Sequence, residues 1–105
     1  MNPFDIFITH LSWGSDGKNR PVLAFIIDDS NVDVYQITTQ YTNKSEAIQA
    51  QYFKIDDWAK AGLDRQSYVD TGTLITFSLS TFKNQKPTGK LTESDKQKLL
   101  DFFKS

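Results

Sequence analysis

The sequence predicts a mainly β domain: a small, partly open barrel of short strands with helices attached. Three observations carry this reading. Aromatic residues make up 13% of the chain, with eight Phe, and aromatic and β-branched side chains suit a pleated, half-buried surface. Short apolar or alternating stretches recur, bounded by Gly, Pro, Asn and Asp. All five Gly fall at junctions between such stretches, as they do in one compact unit. A chain of 105 residues can bury one core, so residues 1–105 read as a single domain.

The elements follow in order. Residues 4–11 (FDIFITHL) place Phe4, Ile6, Ile8 and His10 on one face and Asp5, Phe7, Thr9 and Leu11 on the other. Both faces are partly apolar, as in a barrel strand. Residues 12–19 have loop composition. Pro21 then opens the apolar strand 21–27, a position that suits a residue with fixed φ and no N–H. Residues 28–31 (DDSN) read as a turn, and 32–38 (VDVYQIT) as an alternating strand. Residues 39–50 are polar and carry no clear period.

A short strand is expected at 49–55 and one or two helical turns at 55–62, with Gly62 as the C-cap. Strands 66–69 and 73–80 follow, separated by a turn at Asp70-Thr71-Gly72. Residues 82–90 read as a loop. Thr92 is a good N-cap for a terminal helix, and Asp95 three residues on completes a near capping box. Leu99, Phe102 and Phe103 supply that helix's apolar stripe.

Composition excludes several function classes. There is no Cys and one His, so no disulfide framework, thiol nucleophile or multi-His metal site is expected. No apolar run reaches membrane-spanning length, and residues 1–5 lack the features of a signal peptide. The expectation is a cytoplasmic protein without cofactor. A net charge of −1 argues against a general nucleic-acid coat, where cations dominate, but allows a local basic patch.

Four features could carry chemistry. Arg20 precedes Pro, which biases it toward extended backbone; locally it reads as a solvated loop cation. Thr38-Thr39-Gln40 ends a strand with hydroxyls that can donate to a phosphate, or that simply reflect β-propensity. Asp70 can act as a general base or shape a turn beside Gly72. Asp16 lies in Gly14-Ser15-Asp16-Gly17, where a carboxylate is ordinarily solvated. His10 reads as a packed or surface histidine, and neither Ser15 nor Ser67 sits in a nucleophile elbow. Gly14-x-x-Gly17 lacks the Lys-Ser/Thr of a phosphate loop.

The order of these features says more than each alone. Gly-Ser-Asp, then Lys18-x-Arg20-Pro21 opening an apolar strand, then Ile37-Thr38-Thr39-Gln40 closing the next, resembles the MazF/PemK family of toxin ribonucleases. Gly62-Leu63, Ser67-Tyr68-Val69-Asp70 and Gly89-Lys90-Leu91-Thr92 before a helix extend the resemblance over residues 4–103. It departs from the family pattern at Asp16, where Glu is common, at Tyr68, where some members have Arg, and in a loop one residue shorter before Arg-Pro.

The resemblance implies an SH3-like barrel with a short helix and a C-terminal helix. It implies the toxin of a type II toxin–antitoxin system: a homodimeric, metal-independent endoribonuclease (an mRNA interferase) that cuts single-stranded RNA by 2′-hydroxyl attack on the adjacent phosphate. Its partners would be RNA and a cognate antitoxin protein, with DNA reached only through the antitoxin, and no membrane. Arg20 would offset the phosphorane charge and protonate the leaving oxygen, Thr38 would hold a phosphate oxygen or position Arg20, and Asp70 matches a position where some members keep a catalytic Asp. Asp16, Lys18, Thr39, Gln40, Ser67 and Tyr68 would contact substrate. A planar, permanently charged guanidinium suits a dianionic transition state better than an ammonium does. Two other readings stand beside this one: an SH3-like module binding a peptide through Trp13, Tyr35, Tyr41 and Tyr68, and a diverged toxin that no longer cuts.

Overall fold

A computed structural model describes the backbone of residues 1–13 and 16–105 and the side chains of 1–12 and 17–105. Among the described residues six strands form one antiparallel sheet: β1 (Asp5–Trp13), β2 (Asp16–Ile27), β3 (Asn31–Thr38), β4 (Tyr52–Lys54), β5 (Tyr68–Ser78) and β6 (Gly89–Lys90). Their order is β4-β5-β3-β2-β1-β6, curled into a half-barrel. Two helices accompany it, α1 (Glu46–Gln49) and α2 (Glu93–Lys104). The mainly β class and the C-terminal helix are as the sequence predicts; the short helix stands at Glu46–Gln49 and not in the 55–62 segment.

Side-chain alternation gives the sheet two buried faces. One carries Ile6, Leu23, Tyr35, Ile37, Phe53 and Val69, covered by Ile55, Ala61, Leu91 and Leu99. The other carries Phe7, Leu11, Val22, Ala24, Val32 and Val34, covered by Phe82 from a short 3-10 helix, Leu79–Phe82. The apolar residues of 4–11 and 21–27 therefore serve both faces, which is why neither stretch reads as a simple alternation. α2 docks on the first face through Phe102, edge-on to Phe53 at 5.7 Å, and Phe103, 5.3 Å from Phe25.

Four local expectations are corrected. Residues 12–13 and 16–19 are strand and not loop: β1 continues to Trp13 and β2 starts at Asp16, with Ser12 opposite Gly17, while residues 14 and 15 lie outside the described residues. His10, Ser12, Gly17, Lys18 and Asn19 are all exposed in this arm, so its polar composition reflects solvent on the strands and not an absence of pairing. Pro21 therefore lies inside β2, opposite Ile8. Pairing of β2 with β3 begins only at Val22, opposite Gln36, so the donor that Pro lacks falls where the β3 ladder has ended.

Asp70-Thr71-Gly72 does not separate two strands. β5 is continuous, but Gln36 pairs with Asp70 and Tyr35 with Leu74, which leaves 71–73 as a bulge. The bulge is pinned by Asp70 Oδ1, which accepts from Gly72 N, and by Gln51 O, which accepts from both Thr71 N and Thr71 Oγ1. The 55–62 segment forms successive hydrogen-bonded turns and no regular helix. It does end at Gly62 with φ +88°, the left-handed conformation that glycine adopts without strain.

The last correction concerns Asp95. Thr92 caps α2, its Oγ1 accepting from Asp95 N at 3.2 Å, as predicted. The Asp95 carboxylate does not return to the cap. It is completely buried and accepts from Asp56 N (3.2 Å) and Asp57 N (2.8 Å), tying α2 to the start of the 55–62 turns. Asp95→Ala leaves two backbone donors without their acceptor and is expected to cost about 2–4 kcal/mol. Chemical denaturation checks this, and a loss below about 0.5 kcal/mol would refute the tie.

Candidate functional site

Where β2 and β3 cease to pair, they part and leave a cleft of about 630 Å³. The β2 side contributes Lys18, Asn19, Arg20 and Pro21. The β3 side contributes Ile37, Thr38, Thr39 and Gln40, and the floor and far wall come from Asn43, Lys44, Leu63, Asp64 and Ser67. Three cations, Lys18, Arg20 and Lys44, face one carboxylate, Asp64, among the described residues. A chain with net charge −1 thus holds a locally cationic opening, suited to an anion.

Arg20 lies opposite the buried Thr9 in the β1–β2 ladder, and its Nε is buried. Its guanidinium is thereby carried on a paired strand and not on a loop, which limits the positions it can sample. Thr38 is nearly buried, and its Oγ1 accepts from Gln40 N at 3.1 Å. That bond turns the chain after β3 and uses the hydroxyl only as an acceptor, so its proton is not spent on it. Gln40 Oε1 accepts from Asn43 Nδ2 at 3.1 Å, which braces the outer wall.

Of the residues singled out in the sequence, Arg20, Thr38, Lys18, Thr39, Gln40 and Ser67 meet in this cleft. Ser67 differs from the expectation in chemistry. It is buried and its hydroxyl donates to Arg65 O at 3.0 Å, so it offers a lone pair and not a proton. Tyr68 and Asp70 stand beside the cleft and do not line it. The side chains of Asp16 and Trp13 lie outside the described residues. His10 is exposed, and its Nδ1 lies 3.3 Å from Asn19 Oδ1. Of the aromatic set named for a peptide-binding module, Tyr41 and Tyr68 stack on each other, while Tyr35 is buried on the opposite face with Phe25 and Phe103 and does not join them.

The sheet register sets Asp70 between Gln36 of β3 and Tyr52 of β4. Tyr52 is a component that the sequence reading missed. Its phenol titrates above the ordinary range because burial disfavours the charged form and the Asp70 carboxylate adds to this, while Arg20 works in the opposite direction. Tyr52 thus lies within electrostatic reach of both candidate groups. The alternation of Tyr52 and Lys54 against buried Phe53 and Ile55 was visible in the sequence, but the partner strand was not.

No known family model matches the chain, and no curated protein matches it. No helix among the described residues is long and apolar enough to cross a membrane.

The two influences on Tyr52 can be separated by titration. In ultraviolet difference spectra taken against Tyr52→Phe, Asp70→Asn should lower the pH at which Tyr52 ionises, and Arg20→Ala should raise it. Because the folded value lies above the unfolded one, the associated stability is present at neutral pH. It is lost as pH rises through the folded value. Shifts of the same sign in both variants would overturn this placement.

Proposed function

We propose that the chain is an endoribonuclease acting on single-stranded RNA without a metal ion. On this reading it is the toxin of a type II toxin–antitoxin system, and the half-barrel is an SH3-like barrel of the MazF/PemK type. It works as a homodimer in the cytoplasm, inhibits translation by cutting mRNA, and is held in check by an antitoxin protein.

The observation that supports this most is the convergence of Arg20 and Thr38, distant in sequence, in one cationic cleft. The chemistry follows from their side chains. The 2′-hydroxyl of a nucleotide loses its proton to a carboxylate and attacks the adjacent phosphorus. The bond to the 5′-oxygen breaks, leaving a cyclic phosphate and a 5′-hydroxyl. Arg20 offsets the charge that builds on the non-bridging oxygens and supplies the proton to the leaving oxygen, while Thr38 donates to one of those oxygens. We assign the base to Asp64, the carboxylate lining the cleft, with Asp70 acting on the adjoining Tyr52 from outside it.

Cleavage of an unstructured RNA in the presence of a chelator tests the reading. Arg20→Ala should slow cutting by about 10²–10³-fold, and Arg20→Lys should recover little, since an ammonium lacks the planar fork. Equal cutting by wild type and Arg20→Ala would sink the role of Arg20.

A second comparison addresses the base. Asp64→Asn should lower the rate by about 10²-fold or more, and by more than Asp70→Asn does. The reverse order would move the base to Asp70.

A further inference from the structure

Beside the cleft the sheet register builds a second feature. Thr38 of β3 pairs with Tyr68 of β5, which pairs with Lys54 of β4. Arg20 lies two residues before Val22, the partner of Gln36, and so enters this row at the cleft. Read across the strands, the row runs cation, hydroxyl, aromatic, cation. Paired strands lie about 4.8 Å apart, so Thr38 and Lys54 are separated by roughly 10 Å of surface, and Arg20 stands farther out across the cleft.

The aromatic member does not stand alone. Tyr41, from the segment after β3, lies flat on Tyr68, with ring centroids 4.4 Å apart and planes 8° from parallel. Tyr52 adds a third ring 6.3 Å from Tyr41. All three rings are half-buried, so the stack keeps an accessible surface. The segment carrying Tyr41 is tied down, with Tyr41 O accepting from Gln49 Nε2 (2.9 Å) and Lys44 N (3.0 Å). Lys54 is exposed. The nearby Asp56 carboxylate is engaged 2.9 Å away by Lys98, which leaves the Lys54 ammonium directed to solvent.

We infer that this row is a binding track for a single-stranded nucleic acid, in which the strand crosses β2, β3, β5 and β4 from Arg20 to Lys54 and a base flanking the cut site stacks on the Tyr41–Tyr68–Tyr52 cluster. Phosphates meet the cations at either end, and a nucleobase meets the rings between them, the alternation that single-strand binding uses. Stacking reads a base by its π-face, so the track adds affinity and length dependence without choosing a sequence. The Asp70 carboxylate beside Tyr52 marks where a phosphate is not held. This inference rests on the endoribonuclease reading and extends it to nucleotides outside the cleft.

The test uses the whole protein and 2′-O-methyl oligouridylates, which lack the attacking hydroxyl, of three and of eight nucleotides. Binding is followed by tyrosine fluorescence and calorimetry. Wild type should favour the longer strand by about ten-fold or more. Tyr41→Ala and, independently, Lys54→Ala should each remove most of that preference, and Lys54→Ala should flatten the salt dependence by about one phosphate contact. Lys54 is exposed, so its variant reports on the track without disturbing the fold. A strong preference for length that survives both variants overturns the track, as does equal binding of the two strands by wild type. In either case the cleft reading stands. Failure of wild type to bind either strand overturns both.

Discussion

The parting of β2 from β3 at Pro21 governs the architecture of the site. From Val22 onward β2 shares a ladder with β3; before it β2 holds only to β1, and past Gln36 β3 holds only to β5. A proline at that point cannot renew the ladder, because it has no N–H to donate. The backbone next to it stays extended through pairing with β1, so Arg20 is carried on a strand while facing an opening. Thr38, on the other lip, is fixed by the turn that its own hydroxyl stabilises. Two groups of opposite origin are thus set against one volume by a single missing donor.

The surrounding scaffold ties the walls of this opening to the core through contacts away from it. Asp95 ties α2 to the 55–62 turns, and those turns lead into Leu63 and Asp64 in the cleft wall. Gln66 reinforces the same segment, its amide donating to Ile55 O and Ser67 O. The bulge at 71–73 redirects β5, so that its first half serves the site beside β3 and β4 while its second half closes the second core with Ile75 and Phe77. Both devices use local polar groups to settle questions of long-range geometry.

These devices also explain how much was legible in the sequence. The cap at Thr92, the apolar stripe of α2, the strands at 4–11 and 32–38, and Gly62 were readable because each is decided by near neighbours. Residues 12–13 and 16–19 were misread because exposed paired strands and loops share a polar composition. Asp70-Thr71-Gly72 was misread because a bulge and a turn use the same residues, and only the partner strand tells them apart. In the site, Arg20 and Thr38 stood out through Pro21 and a strand end. Tyr52 and Asp64 did not, since nothing local connects β4 or the 63–65 segment to residue 20. The buried role of Asp95 was hidden for the same reason: its partners lie 38 and 39 residues away.

Charge sets the last constraint. A chain of net charge −1 exerts little long-range pull on a polyanion, and salt screens that pull further over about 8–10 Å. A nucleic acid on this surface is therefore held by contacts at close range, with few cations and each in a defined place. Arg20 sits where burial strengthens its interaction with a phosphate. Lys18 and Lys44 border the same cleft, and Lys54 stands beyond the tyrosines. Between these points affinity has to come from uncharged groups, and the residues there are suited to that: the Thr38 hydroxyl, and three tyrosines whose faces are indifferent to base identity. Discrimination among sequences would then have to arise from hydrogen bonds at the cleft rim, where Asn19, Gln40 and Asn43 present donors and acceptors. The cations and tyrosines supply the hold, and the amide-bearing rim is the part of the surface with the chemistry to read a base edge.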